Sequence, residues 1–173
     1  VIHAAGFPDG GVIPLRTHES LESILAPKVN GTLVLDGLLK EKNIKLDFFV
    51  LCSSISSVLG LFGQVAYCAA NAFLDAFAYH KTHEEGVFTV SINWDFWQEV
   101  GMGVETVRQL KENADIADAD LLLKDGILPS EGAAVFDRVL NSSFPQVIVS
   151  VQELASRFEH VDYTGTSEAP GPG

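Results

Sequence analysis

Cysteine, methionine and positive charge are scarce in this 173-residue chain, which has 2 Cys, 1 Met and 11 Lys plus Arg against 23 Asp plus Glu. The net charge of -12 argues against a nucleic-acid or anionic-membrane surface, because neither attracts an acidic protein at long range. Cys52 and Cys68 fall in an apolar run and a helical segment with no metal-type spacing, so both are expected as reduced core residues rather than a disulfide or a metal pair. No apolar run approaches the roughly eighteen residues of a membrane span, and no basic-then-apolar leader is present; no membrane contact and a cytoplasmic location are expected. Also missing is any Gly-x-Gly-x-x-Gly turn, the element that opens a dinucleotide fold and holds a pyrophosphate at a helix N-terminus.

What is abundant is apolar: 47% of residues, enough for the core of one domain. The run Phe48-Phe49-Val50-Leu51-Cys52 suits a buried strand, as does Val87 to Asn93, while Val1-Ile2-His3 reads as a strand followed by the small-residue turn Ala4-Ala5-Gly6. Between them lie helical patterns: Thr17 to Leu39, with Thr17 or Ser20 as cap, and a segment around Tyr67 and Asn71 rich in alanine and leucine. Pro27 is expected to kink or divide the first helix and to put Lys28 at a bend where it could turn inward. A helix begun by Pro129 and Ser130, with Glu131 in its first turn, and a last strand over 146–151 complete the alternation. Strand alternating with helix predicts a parallel α/β sheet whose ligands bind at the carboxyl ends of its strands. That rule lines up Gly6, Ser54 and Asn93-Trp94 along one edge.

Chemistry concentrates between Ser53 and Tyr79. A strand end there offers a serine hydroxyl, and Tyr67 and Asn71, four apart, share one helix face. A phenol can protonate a carbonyl oxygen that a serine polarises, which is acid catalysis on a ketone. At its free pKa of about 10 the phenol is weak and calls for a nearby cation; Lys28 is the candidate, and at about 4 Å it would favour a phenolate by roughly 4 kcal/mol before desolvation.

Five blocks, VIHAAG at 1–6, PKVNGT at 27–32, FFVLCSSISS at 48–57, GQVAYCAANAFLDAFA at 63–78 and SINWDFWQEVGM at 91–102, together resemble the C-terminal half of a ketoreductase domain of modular polyketide synthases, a branch of the short-chain dehydrogenase/reductase family. In that branch the usual Tyr-x-x-x-Lys becomes Tyr-x-x-x-Asn and the lysine moves to the preceding helix, as Asn71 and Lys28 do here. The resemblance implies a Rossmann-like three-layer parallel sheet, here a partial domain lacking the N-terminal strands, with residues 1–160 as its C-terminal portion and 161–173 as a linker-like tail. It implies Tyr67, Ser54, Lys28 and Asn71 as catalytic residues, and Ala4, Ala5, Gly6, Asn93 and Trp94 against the cofactor NADPH, with no metal. The implied substrate is a β-ketoacyl chain on the phosphopantetheine of an acyl carrier protein, with neighbouring synthase domains as further partners. The fragment alone is expected to be inactive.

In this family's stereochemical markers, Leu-Asp-Asp is replaced here by Pro8-Asp9-Gly10, and the tryptophan eight residues before the tyrosine by Leu59, so neither product configuration is assigned. After the third strand, Trp97, Val100, Met102 and Leu110 are expected to line a substrate channel, followed by a solvated acidic run at 112–120. Two other functions fit the residues: a non-catalytic structural reductase half, and a free-standing dehydrogenase acting on a diffusible alcohol or ketone.

Overall fold

The structure, a computed structural model, describes residues 1–113 and 121–159. Four strands, β1 (Ile2–His3), β2 (Phe49–Ser54), β3 (Thr89–Trp94) and β4 (Gln146–Ile148), form one sheet in the order β1-β2-β3-β4. All neighbours are parallel, in a register that sets Ile2 beside Val50, Leu51 beside Ser91 and Ile92 beside Val147. Parallel neighbours need long crossovers. Helix α1 (His18–Glu41) joins β1 to β2, and α3 (Val65–Glu84) joins β2 to β3. The short α2 (Ser56–Leu59) lies in the turn between β2 and α3; α4 (Met102–Asn113), α5 (Leu121–Lys124) and α6 (Pro129–Leu140) lie between β3 and β4, and α7 (Leu154–Glu159) follows.

Strand β2 is a continuous apolar run from Phe49 to Cys52 because both its faces are covered there. Phe49 and Leu51 point to Leu74, Phe77 and Ala78 of α3, with Leu35 and Leu39 of α1 beside them. Val50, together with Val90 and Ile92 of β3, packs on Val135, Phe136, Val139 and Leu140 of α6. These two clusters make the three layers, and they hold the carboxyl ends of β1, β2 and β3 side by side.

Thr17 caps α1 in a reciprocal pair: its hydroxyl accepts from the Ser20 backbone N–H, while its own N–H donates to the Ser20 hydroxyl. Pro27 does not divide this helix, which runs unbroken for 24 residues. The ring removes only one ladder bond, and packing of α1 along α3 outweighs that loss. The Pro27 carbonyl is instead paired with His3 Nε2 at 3.0 Å, which ties β1 to the same turn of α1 that carries Lys28. Further along, Lys81 bonds Asp36 and Glu85 at 2.5 Å each, and Lys40 reaches the same two carboxylates at 2.9 and 2.8 Å, clamping α1 to α3. Past β3, Trp97 lies against Gly132 of α6, where an added Cβ would come within 2.0 Å of the indole ring. Both cysteines are free and half-buried. No helix among the described residues is long and apolar enough to cross a membrane, and no metal-type cluster of His, Cys, Asp or Glu occurs among them.

Candidate active site

Lys28 is 3% exposed, on the inner side of α1. Its ammonium donates to the Cys52 carbonyl at 2.7 Å and lies 5.8 Å from the centre of the Tyr67 ring. Burial lowers its pKa from 10.5 to about 8, with Cys52 and Asp75 acting against the loss of charge. Gly6 at the end of β1 faces the same group: a side chain there would begin 3.0 Å from Lys28 Cε and 3.7 Å from the Met102 methyl. A glycine is therefore what lets the β1 end and the lysine share this edge.

Tyr67, half-buried in the first turn of α3, has Ser54 and Asn71 beside its phenol. Burial pushes the phenol above its ordinary pKa, and those two neighbours pull it down only in part. The lysine does not reverse that direction, so the phenol is a proton donor at neutral pH rather than a phenolate. Ser54, half-buried at the last position of β2, receives hydrogen bonds from the Ser56 backbone N–H at 3.2 Å and the Ser56 hydroxyl at 3.0 Å. Asn71 is fully buried and donates to the Tyr67 carbonyl one turn back at 2.8 Å, while its Oδ1 accepts no well-aligned hydrogen bond. The four side chains expected from the sequence thus lie around one strand edge.

The other expected residues divide. Ala4 and Ala5 are exposed and Gly6 is half-buried at the open end of β1, a small-residue surface that a flat ligand can approach. Trp94 is half-buried, its ring 5.1 Å from that of Trp97. Asn93 is fully buried, and its amide bonds to Asp75 at 2.9 Å and Ser57 at 2.7 Å. Its side chain faces inward. Val100 is exposed, the Met102 methyl lies close to Gly6, and the Leu110 side chain and residues 114–120 lie outside those described.

Two acids escaped the sequence reading. Asp9, read only as part of a stereochemical marker, accepts from the backbone N–H groups of Ala66 and Tyr67 at 3.1 and 3.2 Å and is paired with Arg16. It caps the tyrosine helix from a distant loop, where the helix's own N-cap residue, Gln64, makes no side-chain cap bond. Asp75 lies eight residues after Tyr67 and four after Asn71, and this spacing on one helix face was the available signal.

The model of the KR domain family matches residues 1–99. This chain belongs to that family. KR domains are the ketoreductases of polyketide synthases, of the short-chain dehydrogenase/reductase type. The 6-methylsalicylic acid synthase of Aspergillus terreus is 43% identical over 106 residues, covering 61% of this chain and 6% of that protein. Polyketide synthase GfsE of Streptomyces halstedii is 38% identical over 153 residues, covering 86% of this chain and 4% of that synthase. A solved ketoreductase from the first module of phoslactomycin biosynthesis in Streptomyces sp. HK803 superimposes with a TM-score of 0.71 at 33% identity, over 91% of this chain and 34% of that one. The KR chain therefore spans a small part of the synthases it is similar to and about a third of the solved ketoreductase.

Proposed function

We propose that the chain is the C-terminal portion, residues 1–160, of a KR domain that reduces the β-keto group of an acyl thioester held on an acyl carrier protein, with NADPH as reductant and 161–173 as a linker to further synthase domains. The observation that carries this reading is the buried Lys28 ammonium beside the Tyr67 phenol, at a strand edge that also presents Ser54. Residues Ala4 to Gly6 fit a cofactor there, because their small side chains leave the edge open and a Cβ at position 6 would crowd Lys28. Bound at that edge, NADPH supplies a hydride for the carbonyl carbon.

The chain's own groups handle the oxygen. Ser54 donates a hydrogen bond to the ketone oxygen and draws electron density towards it. Tyr67 transfers its phenolic proton to the oxygen as negative charge develops, giving the alcohol. The Lys28 ammonium steadies the phenolate left behind until a proton returns from solvent, and the buried Asn71 Oδ1 is the acceptor available to hold that path. A protein of net charge -12 offers a carrier no long-range attraction if the carrier is also acidic, so delivery by tethering in one multidomain chain suits this reading.

The test is Tyr67→Phe in the complete domain, assayed by NADPH oxidation on a carrier-bound β-ketoacyl thioester and on a free ketone. Turnover should fall by about 100-fold or more with cofactor affinity nearly unchanged. Retained turnover removes the mechanism, and equal rates on free and carrier-bound ketones remove the carrier.

A further inference from the structure

Asp75 is a buried carboxylate, 8% exposed, to which the proposed mechanism assigns nothing. Its Oδ2 accepts from the Ser57 hydroxyl at 2.6 Å and from Asn93 Nδ2 at 2.9 Å; its Oδ1 accepts from the Ser91 hydroxyl at 2.6 Å and from the same Asn93 nitrogen at 3.0 Å. The Asn93 amide also lies 3.1 Å from the Ser53 hydroxyl and 3.3 Å from the Ser54 carbonyl, while its Oδ1 accepts from Gln146 of β4 at 3.1 Å. Gln146 thereby orients the amide so that its NH2 faces the carboxylate. Ser53 in turn donates to the Asn71 carbonyl at 3.2 Å. One acid therefore sits inside a cage that joins α3, the end of β2, the turn into α2, and β3, with β4 behind. Two segments of that cage carry the reductase set directly: β2 ends in Ser54, and α3 holds Tyr67 and Asn71.

The titratable groups facing Lys28 are His3 from β1, Cys52 from β2, and Tyr67 and Asp75 from α3. Burial lowers the His3 pKa and raises those of Cys52 and Tyr67, which keeps all three uncharged near neutrality.

We propose that Asp75 is a positioning residue for the ketone-binding edge: its carboxylate fixes the Ser53–Ser57 segment, through Ser57 and Asn93, so that Ser54 stays beside Tyr67. This inference rests on the ketoreductase reading. Asp75 is buried behind that edge and acts through Ser54.

The experiment uses the complete domain carrying Asp75→Asn, Ser57→Ala, Ser91→Ala and, separately, Tyr67→Phe, with kcat and the KM for NADPH measured on a β-ketoacyl thioester. Asp75→Asn keeps the shape but sets an amide against the Asn93 amide. Its kcat should fall about 10-fold to 100-fold while the KM for NADPH stays within about threefold. Ser57→Ala should lower kcat with the same split. Ser91→Ala, which loosens the other oxygen of the carboxylate, should lower the melting temperature while leaving kcat within about threefold. Wild-type kcat in Asp75→Asn, or in Ser57→Ala if the former does not fold, overturns the positioning of the turn. A rise in the KM for NADPH as large as the fall in kcat overturns it too. Full turnover in Tyr67→Phe would instead sink the ketoreductase reading itself, and a dead Tyr67→Phe beside a normal Asp75→Asn sinks the positioning claim alone.

Discussion

Replacing Lys28 with methionine should uncouple the stability of the domain from alkaline pH. Burial brings this lysine from 10.5 to about 8, and at roughly 1.4 kcal/mol for each tenfold change in proton affinity the gap is worth about 3 kcal/mol. Below pH 8 both the folded and unfolded chains carry the proton, and the cost of the buried charge is fully present. Between 8 and 10.5 the unfolded chain holds a proton that the folded one has released, so stability rises with pH. Lys28→Met removes this titration, and its curve subtracted from wild type should close by about 3 kcal/mol across that window. At pH 7 the variant gains from the absent charge but leaves the Cys52 carbonyl without its partner, about 1–3 kcal/mol of loss, so its net stability there should be equal to wild type or up to about 2 kcal/mol greater. Urea unfolding followed through the fluorescence of the 2 tryptophans, at half-unit steps from pH 7 to 10.5, measures both. Parallel curves for wild type and variant would refute a desolvated ammonium and the site geometry with it. The same variant should lose ketoreduction, the trade between stability and activity that a strained site produces.

Gly132→Ala should cost about 3 kcal/mol or more in urea unfolding, because the new methyl would overlap the Trp97 ring; Gly37→Ala, at an exposed helical position with nothing within 4 Å, should instead add roughly 0.5–1 kcal/mol. Asp9→Ala should cost about 2 kcal/mol through two uncapped N–H groups of α3 and an unpaired, mostly buried Arg16, and should lower kcat through Tyr67; an unchanged kcat would separate the cap from the chemistry.

Much of this architecture was legible locally. The apolar runs at Phe48–Cys52 and Val87–Asn93 became β2 and β3 because a strand covered on both faces has no polar alternation to hide it. Tyr67 and Asn71 share a helix face as their spacing required, and Thr17 caps α1 as its position suggested. What escaped was set by tertiary contact. Pro27 was expected to break α1, yet packing against α3 carries the helix through it. The direction of the Asn93 side chain, towards Asp75, was not legible either, since alternation along a strand buried on both sides does not say which face a polar residue takes. Asp9 bonds α3 from 57 and 58 positions away and Asp75 draws its partners from 16 to 18 positions away, distances over which no local pattern extends.

The bond from Asp9 to the first turn of α3 bears on exchanging loops between KR domains. The loop over residues 7–16 anchors the start of the helix that carries Tyr67. A graft lacking an acid at position 9, or the guanidinium at position 16 that steadies it, would displace that turn and Tyr67 with it. The loop and the opening turn of α3 are one cassette, to be exchanged together.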